Sequence, residues 1–186
     1  MKRWLPALIG LALAGTVMAT EEAKYKVIQA DGDFELREYD PQVVAETIVA
    51  GDMAEAGNRA FGRLFQFISG NNLAEQKIAM TAPVGQQAAT NGWTVWFVMP
   101  ADHQLATTPV PKDAQVTLRQ IPAQRMASVR YRGRWTRSLY DSEEQRLREW
   151  IAAQKLSPTG AAVWARYDPP FMPSFFRRNE VLIPVK

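Results

Sequence analysis

The chain has no cysteine and only one histidine among its 186 residues. Without thiols it can form no disulfide, thiolate nucleophile, thiolate metal site or thioether tether to a prosthetic group. Its stability must come from the core. With the single histidine, His103, neither a histidine-based catalytic triad nor a zinc site with the usual ligand cluster has its parts. His103 falls in a polar, proline-containing stretch, 101–113, and reads as a solvated loop residue. Long apolar runs are missing too. The apolar stretch 5–17 is too short for a comfortable membrane span. No strong charge excess is present either: the formal net charge is +3.

The N-terminus has the form of an export signal. Lys2 and Arg3 are a basic start, 5–17 is the apolar segment, and Val17-Met18-Ala19 puts small residues at a cleavage site before Glu21 and Glu22. The spacing predicts a signal peptide over 1–19 and a mature domain over 20–186, periplasmic or secreted. No cysteine precedes the site, so no lipoprotein-type anchor and no stable membrane anchor are expected. Removing Lys2 and Arg3, and no acid, lowers the formal charge from +3 to +1. A nearly neutral domain lacks the phosphate-neutralising surface that nucleic acid binding needs.

The domain reads mainly as strands. Residues 25–29 and 34–39 suit a hairpin turning at Asp31-Gly32, and 43–49 suits a third strand. Asp52 can cap a helix running to about Ser69. Residues 78–84 are strand-like, with Pro83 favouring an edge or bulge. Residues 93–99, 116–121, 126–132, 163–167 and 181–183 complete the strands. Ser142 with Gln145 looks like a capping box for a second helix to about Gln154, with Leu147, Trp150 and Ile151 on one face.

The order repeats. Residues 35–51 lie over 117–133 without a gap, with Leu36 over Leu118, Arg37 over Arg119, Gln42 over Gln124, Ala45 over Ala127 and Gly51 over Gly133. Pro83 then falls opposite Pro169. Two copies of strand-strand-helix-strand-strand, about 34–100 and 116–185, predict an α+β domain of pseudo-two-fold form. Its antiparallel strands should make a curved sheet or barrel with one helix per half.

The pieces Leu36-Arg37-Glu38-Tyr39, Val44-Ala45-Glu46-Thr47, Met80-Thr81-Ala82-Pro83-Val84, Tyr167-Asp168-Pro169-Pro170 and Arg177-Arg178-Asn179-Glu180-Val181 together resemble the SOUL haem-binding protein family. The resemblance covers nearly all of 25–185. It implies a distorted eight-stranded antiparallel barrel flanked by two helices. It also implies haem or another tetrapyrrole as ligand, held in an open apolar cleft beside the first helix and the loop before the last strand, without a general axial ligand.

Two stretches offer apolar walls beside cations, as an amphipathic acid such as haem requires. On the first helix, Phe61, Leu64, Phe65 and Ile68 read as a core stripe. Phe67 falls outside it, near Ala56, Ala60 and Arg63, which suggests a cleft wall with Arg59 or Arg63 at its edge. A helix wedged between sheet and loop gives the same pattern. The second stretch is the proline-rich loop carrying Phe171, Met172, Phe175 and Phe176 before Arg177 and Arg178. Its apolar side chains either fold under the loop or form the lip of a pocket. The two arginines either meet ligand, pair with Glu180 or hold the loop. Met80 and Met99 suit the core or an adaptable pocket. Glu35, Glu38 and Asp40 read as solvated strand residues without a partner set, and nothing in the sequence supports an enzyme. The expected function is a non-enzymatic carrier, buffer or scavenger of haem or porphyrin. The other readings are a promiscuous module for amphipathic molecules and a protein-interaction module using the Phe-rich loop.

Mass spectrometry of the exported protein is expected to find Thr20 as the first residue. A full-length cytoplasmic species would contradict the export signal.

Overall fold

A computed structural model describes residues 20–186; the expected signal peptide lies outside the described residues. The first half runs through β1 (Glu21–Glu22), β2 (Tyr25–Asp31), β3 (Phe34–Tyr39), β4 (Gln42–Val49), α1 (Met53–Ile68), β5 (Thr81–Ala82), β6 (Val84–Ala89) and β7 (Gly92–Val98). The second runs through β8 (Thr117–Ile121), β9 (Gln124–Arg132), α2 (Arg137–Ala153), β10 (Val163–Arg166) and β11 (Arg178–Pro184). Nine strands form one curled antiparallel sheet in the order β2-β3-β9-β11-β10-β6-β7-β4-β8. β1 and β5 make a small parallel pair beside it.

This order is a palindrome. Exchanging β3, β4, β6 and β7 for β8, β9, β10 and β11 reads the inner eight strands backwards. The registers agree residue for residue. Leu36 faces Ala127 and Glu38 faces Arg125; in the other half Leu118 faces Ala45 and Gln120 faces Val43. The gapless self-match of the sequence is therefore also a match of strand register. The two halves meet where β6 pairs with β10, and there Gln86 faces Trp164. Those two residues are also counterparts: Gln86 faces Val95 and Trp164 faces Val181, while Val95 and Val181 hold equivalent places opposite Thr47 and Val129.

The strand expected over 25–29 is β2, a ninth strand outside the repeat at one edge of the sheet. Its other edge is β8, so the barrel stays open. The expected strand over 78–84 is split at Pro83 into β5 and β6, because proline cannot donate to a ladder. Pro83 precedes β6 and Pro169 follows β10, so the two prolines do not correspond. β6 has a sequence poor in strand formers, yet it sits near the centre of the sheet, paired on both sides; pairing overrides propensity there. The second helix starts earlier than Ser142. Thr136 caps it, accepting from the Leu139 N–H at 3.4 Å, whereas α1 is capped by Asp52 as its sequence suggests.

The two faces of the sheet are built differently. One carries both helices and the main core, including Val95, Phe97, Val129, Trp164, Val181, Leu64, Phe67, Leu147 and Ile151. The other carries a smaller cluster of Tyr39, Met126, Val163, Ala165 and Leu182, and beside it a buried ionic group. Glu180, wholly buried, accepts from Arg37 Nη1 at 2.5 Å and Nη2 at 3.1 Å, Arg130 Nε at 3.1 Å, Arg178 Nη2 at 3.2 Å and the Tyr167 hydroxyl at 2.8 Å. Glu35 binds Arg37 Nε at 2.6 Å and Glu22 binds Arg178 at 2.9 Å. Glu35 is thus a paired acid, not the solvated one its sequence position suggests. Three guanidinium groups are met by three carboxylates, so the burial is electrically balanced.

Burial works against the charge on Glu180, but the hydrogen bonds and charge of Arg37 outweigh it and hold its carboxyl below the ordinary range. A carboxyl with a lowered folded-state pKa stabilises fully above its unfolded value. That contribution is lost as pH falls through the folded value. Glu180→Gln is expected to cost about 3–5 kcal/mol. It should also flatten the loss of stability on acidification below about pH 4. Urea unfolding of both proteins at several pH values checks this. An unchanged acid limb would show that another carboxylate sets it.

Candidate ligand cleft

Two cavities among the described residues could hold a small molecule. The larger, about 560 Å³, lies between the N-terminal segment and the 101–106 loop, with Glu21, Asp40, Gln42, His103 and Gln120 on its walls. No phenylalanine, tyrosine or tryptophan lines it. His103 Nδ1 sits 2.8 Å from Asp102 Oδ1, and the His103 side chain is only 17% exposed. It is thus more covered than a solvated loop residue, because its N–H donates to the Pro100 carbonyl and folds the loop over.

The smaller cavity, about 300 Å³, has the better chemistry for an apolar ligand. It opens beside α1 and is lined by Phe61, Met80, Val84, Trp135, Tyr167 and Pro169, with Gly57 and Arg166 also on its wall. Flat rings, a methionine and few polar groups describe an ordinary small-molecule site. Size alone would favour the polar cavity. Wall chemistry favours this one, since apolar surface drives the binding of apolar ligands.

The helix presents a face different from the one its sequence suggested. Phe67 is 1% exposed and belongs to the core, with Ala56, Ala60 and Leu64. Phe61 and Phe65, expected in the core, are 39% and 49% exposed. The small residues Ala56, Gly57 and Ala60 decide this, since they let α1 settle closely on the sheet and leave the bulk of Phe61 outside. Phe61 stacks on Phe65 at 5.9 Å and meets Phe97 edge-on at 5.3 Å. Arg59 donates to the Ala50 carbonyl at the start of the helix. Arg63 donates to Thr47 at 2.8 Å and lies 3.3 Å from Asp113. Neither arginine lines the cleft. Both fasten α1 to its surroundings.

The proline-rich loop turns its rings outward. Phe171 is 85% exposed, and Phe175 and Phe176 touch each other at 4.5 Å while both stay exposed. They do not fold under the loop. Met172 is half-buried and Met80 lies partly buried on the cleft wall. Arg177 holds the loop, donating from Nε to the Met172 carbonyl at 2.7 Å and from Nη2 to the Pro170 carbonyl. Arg178 joins Glu180 and Glu22 on the far face.

Trp135 and Arg166 are among the cleft residues that sequence reasoning missed. Trp135 is stacked by two cations, Arg177 at 4.6 Å and Arg166 at 5.2 Å from its ring centre. Its indole N–H donates to Asn179 at 2.8 Å. Arg166 ends β10 on the same face as the buried Trp164. A charge at an inward position of an apolar strand was the available signal. Its Nη2 donates to Gln86, whose amide is in turn oriented by the Met53 carbonyl at 2.9 Å. Gly57 leaves room for this head: a Cβ there would come within 3.1 Å of Arg166 Nη1 and of Gln86 Oε1.

The sequence profile of the SOUL heme-binding protein family matches residues 20–184. No curated protein matches the chain. Solved structures of similar fold include the C-terminal domain of EcmrR, with a TM-score of 0.62 and 16% identity over 87% of this chain and 98% of that one. A hydrolase from Listeria innocua has a TM-score of 0.58 and 8% identity over 86% of this chain and 94% of its own. A second hydrolase from the same organism has a TM-score of 0.60 and 11% identity, covering 83% and 92%. At these identities the likeness is one of fold alone. No helix among the described residues is long and apolar enough to cross a membrane.

The helix orientation separates two neighbouring phenylalanines. Phe67→Asp is expected to cost more than about 4 kcal/mol, enough to unfold much of the population. Phe61→Asp should stay within about 1 kcal/mol of the parent. Thermal melts of both variants check this. A folded Phe67→Asp protein would show that α1 is turned the other way.

Proposed function

Because the chain belongs to the SOUL haem-binding protein family, we propose that it binds haem or another tetrapyrrole in the cleft beside α1. It does so as a non-enzymatic carrier, buffer or scavenger acting after export. The observation that most supports this is the apolar wall of flat side chains, Phe61, Trp135 and Tyr167, with Met80 between α1 and the proline segment. One edge of a tetrapyrrole enters there. The rest leans on the exposed lip formed by Phe171, Met172 and Phe175, with Arg177 at the rim. Burying on the order of 300–500 Å² of ligand surface is worth roughly 8–12 kcal/mol gross. Association costs of several kcal/mol leave micromolar binding within reach, with no iron ligand required.

A protein-interaction role is the second reading. It is favoured by the outward turn of Phe171, Phe175 and Phe176, since contiguous exposed apolar surface marks contact sites. The two readings differ in where the ligand's contacts lie.

Spectral titration of the mature protein distinguishes them. Haem and metal-free porphyrin are expected to bind with similar affinity. Phe61→Asp should weaken both about tenfold or more. His103→Ala should leave the Soret band and the affinity unchanged, since His103 lines the other cavity. If neither haem nor porphyrin binds at roughly 100 μM, the tetrapyrrole reading fails and the interaction reading takes its place.

A further inference from the structure

Phe171, Phe175 and Phe176 stand exposed on one loop, 168–177, between β10 and β11. Three such rings on one loop mark a surface that something else covers. The hydrogen bonds of the loop narrow what that is. Pro169, Pro170 and Pro173 have no N–H to leave unmet. Met172, Phe176 and Arg177 give theirs to the carbonyls of Pro169, Pro173 and Ser174 at 3.1, 2.9 and 3.2 Å. The Arg177 side chain takes up the Met172 and Pro170 carbonyls, and Arg132 takes up the Phe176 carbonyl at 2.9 Å. Within 169–176 this leaves open only the N–H groups of Phe171, Ser174 and Phe175 and the carbonyls of Phe171 and Phe175. A protein partner reads a surface partly through hydrogen bonds, about one per 100–200 Å² of contact. A loop that uses most of its polar groups on itself offers few. A bilayer asks for the opposite, with apolar side chains outward and backbone bonds met within the segment.

The charges beside the rings are mostly of one sign. Arg132 at the end of β9 and Arg134 just beyond it are exposed, and Arg177 closes the loop. Among the described residues none of the three meets a carboxylate. The ion-paired arginine here is Arg178, held by Glu22 and Glu180. Arg177 lies over the Trp135 ring instead. Residues 131–136 carry no acid, and the only acid in 167–177 is Asp168. Its carboxylate accepts the Arg178 backbone N–H at 2.6 Å. Three cations against one acid leave a formal excess of +2 in these two segments. The mature domain as a whole carries only +1, so the excess is local.

We infer that the 168–177 loop docks the protein reversibly on the surface of an anionic phospholipid bilayer. Phe171, Phe175 and Phe176 enter the boundary between headgroups and acyl chains, and Arg132, Arg134 and Arg177 stay at the level of the phosphates. The contact is peripheral, since three rings on a loop enter the interface and do not span it. Tyr167, Asp168, Pro169 and Pro170 lead into the same loop and line the cleft, so docking sets the cleft mouth close to the lipid. The inference does not rest on a tetrapyrrole ligand.

Sedimentation of the mature protein with sucrose-loaded vesicles tests it. The mature form is used because the apolar 5–17 segment would bind lipid by itself. Vesicles of equal parts phosphatidylglycerol and phosphatidylcholine should bind the parent at least about tenfold more tightly than phosphatidylcholine alone. The double variant Phe171→Ser, Phe175→Ser should bind the anionic vesicles at least about tenfold more weakly, with the thermal melt of the parent. Arg134→Glu should lose roughly fivefold or more, and only on the anionic vesicles. Leu73→Ser removes an exposed leucine from the loop after α1 and should bind like the parent. Equal binding to the two kinds of vesicle, undiminished binding by the double variant, or an equal loss in Leu73→Ser overturns the inference. So does a parent that ignores anionic vesicles, and the rings then belong to a protein partner. Should the double variant not fold, undiminished binding of Arg134→Glu to anionic vesicles overturns it instead. No porphyrin is present in these assays. Vesicle binding by a protein that takes up no porphyrin leaves this inference standing and removes only the tetrapyrrole reading.

Discussion

The pairing of Arg37 with Glu180 is the contact on which the rest of the chain depends. It joins β3 to β11 across β9, and residues 143 positions apart in sequence. A buried pair of this kind adds little net stability against an apolar replacement, but it strongly penalises any arrangement that separates its members. Its effect is to fix register. Along β11, Arg178 and Glu180 point to the far face, while Asn179 points to the helix face and accepts from Trp135. A slip of one residue would expose Asn179 to the arginines and bury Glu180 among the helices. The sheet therefore has one acceptable register, and the cleft inherits its wall from it.

The same contact accounts for several of the recognisable pieces. Arg37 and Tyr39 come from one piece, Tyr167 from another, and Arg178, Asn179 and Glu180 from a third. Most of their side chains meet on the face away from the cleft. The pieces 80–84 and 167–170 also line the cleft, through Met80, Val84, Tyr167 and Pro169. The pseudo-two-fold arrangement was legible for a related reason: a gapless self-match survives only where strand register is held.

The helix was harder. On α1 both arcs are apolar, so periodicity could not say which faces the sheet. The decision lies in side-chain size, with alanines and glycine inward and Phe61 and Phe65 outward. Hydrophobicity ranks Phe above Ala, and close packing reversed that order here. The arginines misled for a similar reason. Arg59 and Arg63 lie close in sequence to apolar residues but are tied down elsewhere, while Arg166 and Arg177 reach Trp135 from distant segments. Contacts between segments leave no pattern in a single stretch of sequence.

The cleft's chemistry follows from where the two halves stop matching. Where the halves match, Leu36 and Ala127 hold the same places as Leu118 and Ala45. Where the halves meet, Gln86 stands opposite its own counterpart, Trp164. A pair of identical residues at such a place would have to satisfy each other. Unlike residues are free to divide the work. Gln86, fixed by the Met53 carbonyl, holds the head of Arg166, and Trp164 provides the flat surface on which Tyr140 stacks. Gly57 of α1 leaves the space in which they meet. At this seam the unlike residues of the duplicated scaffold together place Arg166 on the cleft wall.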